Sequence, residues 1–186
     1  MAKLDRKVLV IDVESTCWEP PSSQPKNEIS EIIEIGIAVV DIDDLQIIKN
    51  ESILVRPQKS KVSEFCTKLT TLTAAQVSKG IRLEEAAAKL LQEYDSDKRL
   101  FVSWGDYDRS MFMKNCKEYG CLYPFGARHL NLRNTFTLLH GLESEPALDM
   151  ALEHIGMKLD GTHHRGIDDA RNIAKVFIHT LKKFRE

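Results

Sequence analysis

Lys7 to Cys17 reads KVLVIDVESTC, and the fold follows from how this stretch is read. Val8, Leu9, Val10, Ile11 and Val13 are β-branched residues or leucine, the composition of a strand covered on both faces. Asp12 and Glu14 interrupt that run two positions apart, so on a strand both side chains leave from one face. Two like charges side by side on a buried strand need neutralising. A divalent cation with oxygen ligands does so most simply. The alternative reading is that Asp12 opens a loop and Glu14 is simply solvated.

The 186 residues suit one domain, read here as residues 1–186, with 42% hydrophobic and 29% charged residues. These are the proportions of an ordinary globular chain. No stretch approaches membrane-spanning length, and the N-terminal MAKLDRK has no apolar core of a secretion signal, so no membrane association is expected. Cys17, Cys66, Cys116 and Cys121 form no CxxC pair, which fits reduced thiols and a cytoplasmic location. A net charge of −2, from 26 basic and 28 acidic residues, argues against coating nucleic acid by bulk charge. It leaves room for an enzyme that grips a few nucleotides through metals and a local basic patch.

Beyond the first strand, prolines and small polar residues mark a loop over 18–27. Trp18 in that loop either caps the core or faces a base or sugar, the first being favoured. Ile29–Asp41 and Leu45–Val55 read as antiparallel strands joined by a short polar turn. Thr73 is a suitable N-cap for a short helix at Ala74–Val77. Leu83–Tyr94 has helical periodicity, and Leu100–Trp104 is a short apolar strand. In the following helix, Asp108–Tyr119, Asp108 starts the stripe of Met111, Phe112, Cys116 and Tyr119. Asp106 falls with the solvated side. Arg128–Leu132 reads as a strand, and Arg133–His140 and Pro146–Ile155 as helices. The last helix, Asp168–Phe184, repeats the pattern: Asp169 leads Ile173, Val176, Phe177, Thr180 and Phe184, while Asp168 leads the polar side with Asn172. His164 lies on the loop that feeds it. Motifs such as HExxH, the P-loop lysine motif and GxSxG are absent. The succession implies an α/β fold, a mixed five-stranded sheet with a three-strand antiparallel meander, parallel strands and flanking helices. Asp12 with Glu14, Asp108, and His164 with Asp169 all fall where strand ends meet helix starts, the usual place for a site.

With these residues in view, the chain resembles the DEDDh, or DnaQ-like, 3′–5′ exonucleases, which have a ribonuclease H-like fold. The matching motifs are Asp12-Val13-Glu14, Asp108 in SWGDYDRSMF, and His164-Arg165-Gly166-Ile167-Asp168-Asp169. The segments DVESTCWE, EFCTKLTTLT and HRGIDDARNIA look most like the enhanced-RNAi or histone-mRNA 3′-exonuclease subgroup. The likeness spans about residues 5 to 182. His163 competes with His164, and only His164 has the family's spacing to Asp169.

The resemblance implies a hydrolase using two divalent cations, Mg²⁺ or Mn²⁺, roughly 3.5–4 Å apart. Asp12 would bridge them, Glu14 and Asp169 would complete the site that carries the attacking water, and Asp108 would hold the second ion. His164 would be the general base. Ser15 and Thr16 would contact the terminal sugar, Phe65, Leu69 and Trp104 would wall the nucleotide, and His164 would touch it as well. Arg128, His129, Arg165 and the Lys114/Lys117 face are candidates for further phosphates or, equally, plain surface. The expected substrate is a single-stranded 3′ end, RNA before DNA, and the product a nucleoside 5′-monophosphate. The extra N-terminal nucleic-acid-binding module of some relatives has no counterpart here, so their structured-RNA substrates are not carried over. A DNA proofreading-type exonuclease and a catalytically idle nucleic-acid-binding protein are the alternatives.

Overall fold

Lys7–Ser15 forms β1, the central strand of a five-stranded sheet, in a computed structural model that describes residues 5–185. The N-terminal residues 1–4, part of the segment read as lacking a secretion signal, lie outside the described residues. On one side of β1 lie β2 (Ile32–Asp41) and β3 (Gln46–Leu54), both antiparallel to their neighbours. On the other lie β4 (Leu100–Ser103) and β5 (His129–Asn131), both in parallel pairing. The order is β3-β2-β1-β4-β5, so the expected mixed sheet is what forms.

Alternation along β1 divides the core in two. Leu9, Ile11 and Val13 pack with α3 (Leu83–Tyr94) and α4 (Tyr107–Tyr119). Val8 and Val10 pack on the opposite face with α5 (Leu132–Leu139), α6 (Leu148–His154) and α7 (Gly166–Arg185). Each fully buried Leu, Ile or Val stabilises the sheet by about 1.5–3 kcal/mol, which is why β1 holds no polar residue from Val8 to Ile11. Asp12 and Glu14 share the face of Val8 and Val10, beneath the start of α7. β1 pairs with β4 only from Val8 to Val10, so both carboxylates lie past the last paired residue, where the sheet opens into a crevice.

Two glycines allow α7 to start there. Gly36 lies opposite Asp12 on β2, and a Cβ on it would sit 1.8 Å from the Gly166 carbonyl oxygen. Gly166 donates its N–H to Glu34 Oε2 at 2.9 Å. The same carboxylate, which has no exposed surface, receives Nε and Nη2 of Arg165, each at 3.2 Å. This anchor starts α7 at Gly166, two residues before the sequence-based boundary.

Helix α1 (Glu64–Thr70) has no periodic apolar pattern and was not expected; Ser63 caps it by accepting the Cys66 N–H at 2.9 Å. The cap expected at Thr73 forms on α2 (Ala74–Val77), and the Thr73 N–H donates in return to Gln76 Oε1 at 2.9 Å. On α7 two assignments are corrected. Asn172 is buried rather than solvated, because its amide spans the Asp160 backbone N–H and C=O. Phe184, on the apolar stripe by spacing, is exposed because the sheet beneath it has ended.

Candidate active site

Four carboxylates from three segments face one cavity of about 400 Å³. Asp12 and Glu14 come from the end of β1, Asp108 from the first turn of α4 and Asp169 from the first turn of α7. Asp108 is anchored by the Val13 N–H, which donates to its Oδ1 at 2.8 Å across the β1–α4 junction. Asp169 Oδ2 accepts the His164 N–H at 2.8 Å, and His163 Nδ1 lies 3.1 Å from the same oxygen. His164 has φ of 62°. This left-handed conformation costs a non-glycine residue about 1–2 kcal/mol and places its ring in the cavity, stacked on His163 at 4.0 Å.

The four carboxylates crowd and repel one another. Loss of hydration, then Asp108, Glu14, Asp169 and Glu34, push the Asp12 carboxyl far above its usual range. Burial, followed by Asp169 and Glu34, lifts Glu14 to about 8. Burial lifts Asp108 to about 7 against the opposing Val13 hydrogen bond, and Asp169 is raised mainly by burial as well. Such a cluster holds its charge at neutral pH only with added positive charge. One oxygen each from Asp12, Glu14 and Asp169 lies within 4.8 Å of the others. This all-oxygen set fits hard divalent cations.

A family profile described as "Exonuclease" matches residues 9–177. The chain belongs to the exonuclease family. The probable 3′-5′ exonuclease KapD of Bacillus subtilis is 34% identical over 172 residues, covering 91% of this chain and 82% of KapD. The 3′-5′ exoribonuclease 1 of Rattus norvegicus is 30% identical over 185 residues, covering 94% of this chain and 53% of the rat protein. The chain thus spans about half the length of that relative. Among solved structures, the nuclease domain of 3′hExo, a DEDDh family member bound to rAMP, superimposes with a TM-score of 0.85. The match is 26% identical and covers 96% of this chain and 92% of that domain. The ribonuclease H-like fold expected for DEDDh exonucleases is the fold observed.

Within this exonuclease fold the cavity gathers most of the sequence-selected residues. Asp12, Glu14, Asp108, His164 and Asp169 line it, as do Ser15, Leu69 and Trp104. Two others do not. Thr16 is fully buried and turned into the chain, its Oγ1 donating to the Ile29 carbonyl and accepting the Glu31 N–H. Phe65 is half-buried one turn before Leu69 on α1 and does not line the cavity. Trp18 is half-buried away from it too. Of the outlying basic residues, Arg165 is committed to Glu34, Arg128 donates to the Lys98 carbonyl, and His129 Nε2 bonds Ser103 Oγ at 2.8 Å. Lys114 and Lys117 are exposed and do not line it.

Residues that sequence reading did not select also reach the cavity. Tyr107 lies on its rim with its hydroxyl 2.7 Å from Ser15 Oγ, and Arg133 lines it as well, as does His163, which sequence reading weighed only as a competitor of His164. Glu34 braces it from below. Tyr107 immediately precedes Asp108, and Glu34 stands opposite Glu14 in the β1–β2 register. Pairing the strands first would have singled out Glu34; nothing local marks Arg133.

Proposed function

We propose that this chain is a metal-dependent 3′→5′ exonuclease that shortens single-stranded nucleic acid, RNA before DNA, and releases nucleoside 5′-monophosphates, residues 1–186 forming one exonuclease domain. The observation that carries this reading is the convergence of four inward carboxylates and His164 on one cavity, whose volume lies in the ~300–1,000 Å³ range of small-ligand pockets. The exoribonuclease name of the rat relative and the rAMP in the 3′hExo domain support RNA.

Asp12, Glu14, Asp108 and Asp169 would hold two divalent cations, Mg²⁺ or Mn²⁺. When bound, these neutralise the carboxylates and stabilise charge developing on the phosphate. His164 accepts the proton of the attacking water. Burial, then the adjacent His163, holds its ring below the ordinary histidine value, which leaves a neutral imidazole at pH 7. His163 keeps Asp169 in place. Ser15, restrained by Tyr107, meets the terminal sugar, and Leu69 and Trp104 supply apolar walls for a base.

The test uses 5′-labelled RNA and DNA of matched sequence with free or blocked 3′ ends, in Mg²⁺, Mn²⁺ or EDTA. The expected result is a ladder growing from the free 3′ end, faster on RNA, abolished by EDTA and by Asp12→Ala. His164→Ala should lose at least ~100-fold in kcat, the usual contribution of a general base, while still binding Mn²⁺. Internal cuts, or full activity in Asp12→Ala, would refute the mechanism.

A further inference from the structure

Arg133 lines the cavity without a part in the hydrolysis. It lies in the first turn of α5 and is the only lysine or arginine on that lining among the described residues. Its Nη2 donates to the Glu145 carbonyl oxygen at 2.9 Å. Its Nε lies 3.4 Å from Glu145 Oε2, yet is closed off from solvent without a hydrogen-bond partner. Trp104, on the same lining, is tied to the next residue, its Nε1 donating to the Pro146 carbonyl at 3.2 Å. Residues 145–146 thus fix both an aromatic wall of the cavity and its one fixed cation. A guanidinium has five N–H donors in a planar fork. With one nitrogen held by a backbone carbonyl and another unpaired, this fork is positioned in advance and gains from an added oxyanion.

Charge balance says which oxyanion. Two divalent cations cancel the four negative charges of Asp12, Glu14, Asp108 and Asp169. A strand entering the cavity then brings phosphates, and Arg133 is the one fixed cation left on the lining to meet them. Arg165 and Arg128 are committed to Glu34 and to the Lys98 carbonyl. We propose that Arg133 is a phosphate-binding residue, its guanidinium gripping a phosphodiester of the strand while the Glu145 carbonyl holds it in place. The inference rests on the reading of this cavity as an exonuclease site. The Glu145 carboxylate, half-exposed at 3.4 Å, is the weak partner that the phosphate displaces. One such contact inside the cavity lets a chain of net charge −2 hold an anionic strand without a basic surface. The phosphate gripped is either the scissile one or the next along the strand; both offer the same oxygens, and the choice of ligands separates them.

The test compares the parent with Arg133→Gln in Mg²⁺, by calorimetry with AMP and adenosine and by kcat/KM for the dinucleotides ApA and pApA. ApA has only the scissile phosphate; pApA carries the next one as well. If Arg133 grips the scissile phosphate, AMP affinity and kcat/KM for ApA should fall about tenfold, equivalent to ~1.4 kcal/mol. If it grips the next, both are kept and the advantage of pApA over ApA falls by about that factor. In either case adenosine affinity is unchanged. The slope of log KM for RNA against log salt concentration should also shrink by about 0.7, the value of one phosphate contact on a single strand. Equal losses for AMP and adenosine, as a mere anchor of residues 145–146 would give, would overturn the proposal, as would no loss for any ligand or an unchanged salt slope. If Arg133→Gln fails to fold, Glu145→Gln decides it. Removing the competing carboxylate should tighten the same phosphate-bearing ligand several-fold and leave adenosine alone; no gain would overturn the proposal. A folded parent that binds AMP but cleaves neither dinucleotide counts against the exonuclease reading alone. ApA and pApA then serve as ligands, and their affinities test Arg133 without turnover.

Discussion

Asp108→Asn should make the metal-free protein more stable, by an amount that grows with pH. The asparagine Oδ1 can keep the 2.8 Å bond from the Val13 N–H, so the substitution removes charge and little else. Asp108 is only 4% exposed, and its pKa rises from the ordinary 3.8 to about 7 on folding. A carboxyl raised in this way binds more protons folded than unfolded between those values. It stabilises fully below the unfolded pKa, and that stability is lost as pH rises through the folded value. At about 1.4 kcal/mol per unit, the ionised group costs the native state at most about 4 kcal/mol at pH 8 and about 1–2 kcal/mol at pH 5. In urea titrations with EDTA, followed by circular dichroism, the variant should therefore lead the parent slightly at pH 5 and by several kcal/mol at pH 8. Saturating Mg²⁺ should reverse the order at pH 8, because the parent gains binding energy through a carboxylate the variant lacks. An advantage that does not grow between pH 5 and pH 8, or one that Mg²⁺ leaves untouched, would refute the view that these carboxylates are held in mutual repulsion awaiting a cation.

Three further outcomes follow from the supports of the site. Arg165→Ala leaves Glu34 buried without its partner and should cost about 3–5 kcal/mol, read as a lower urea midpoint, with Glu34→Gln restoring part of it in the double variant. Gly36→Ala forces the start of α7 off β2, since the new Cβ meets the Gly166 carbonyl; a loss of about 1–3 kcal/mol and weaker Mn²⁺ binding by calorimetry are expected, and an unchanged variant would show that α7 docks independently. Tyr107→Phe removes the hydroxyl that restrains Ser15 and should raise KM several-fold, in line with about 1 kcal/mol for one hydrogen bond, while kcat changes little.

Much of this molecule is legible in short stretches of sequence. The apolar run of β1 can only be a covered strand, and the helical stripes starting at Asp108 and Asp169 show those carboxylates turned inward. Both inferences use distances of a few residues, where backbone geometry alone decides which way a side chain points. The same local logic places Asp106 and Asp168 outside the core. It fails at α1, which is too short to show a period and depends on the Ser63 cap, and at Thr16, where loop geometry decides direction. It also cannot see pairings across the sheet. Glu34 beneath Arg165, Gly36 against Gly166 and Tyr107 on Ser15 join segments far apart in the chain. Their contacts exist only once strand register and helix docking are set. Local sequence suffices for the sheet, the inward carboxylates and the kind of chemistry they suit. What braces them, and which residues share their cavity, emerges only in the packed molecule, because those contacts depend on the docking of whole elements and not on local backbone geometry.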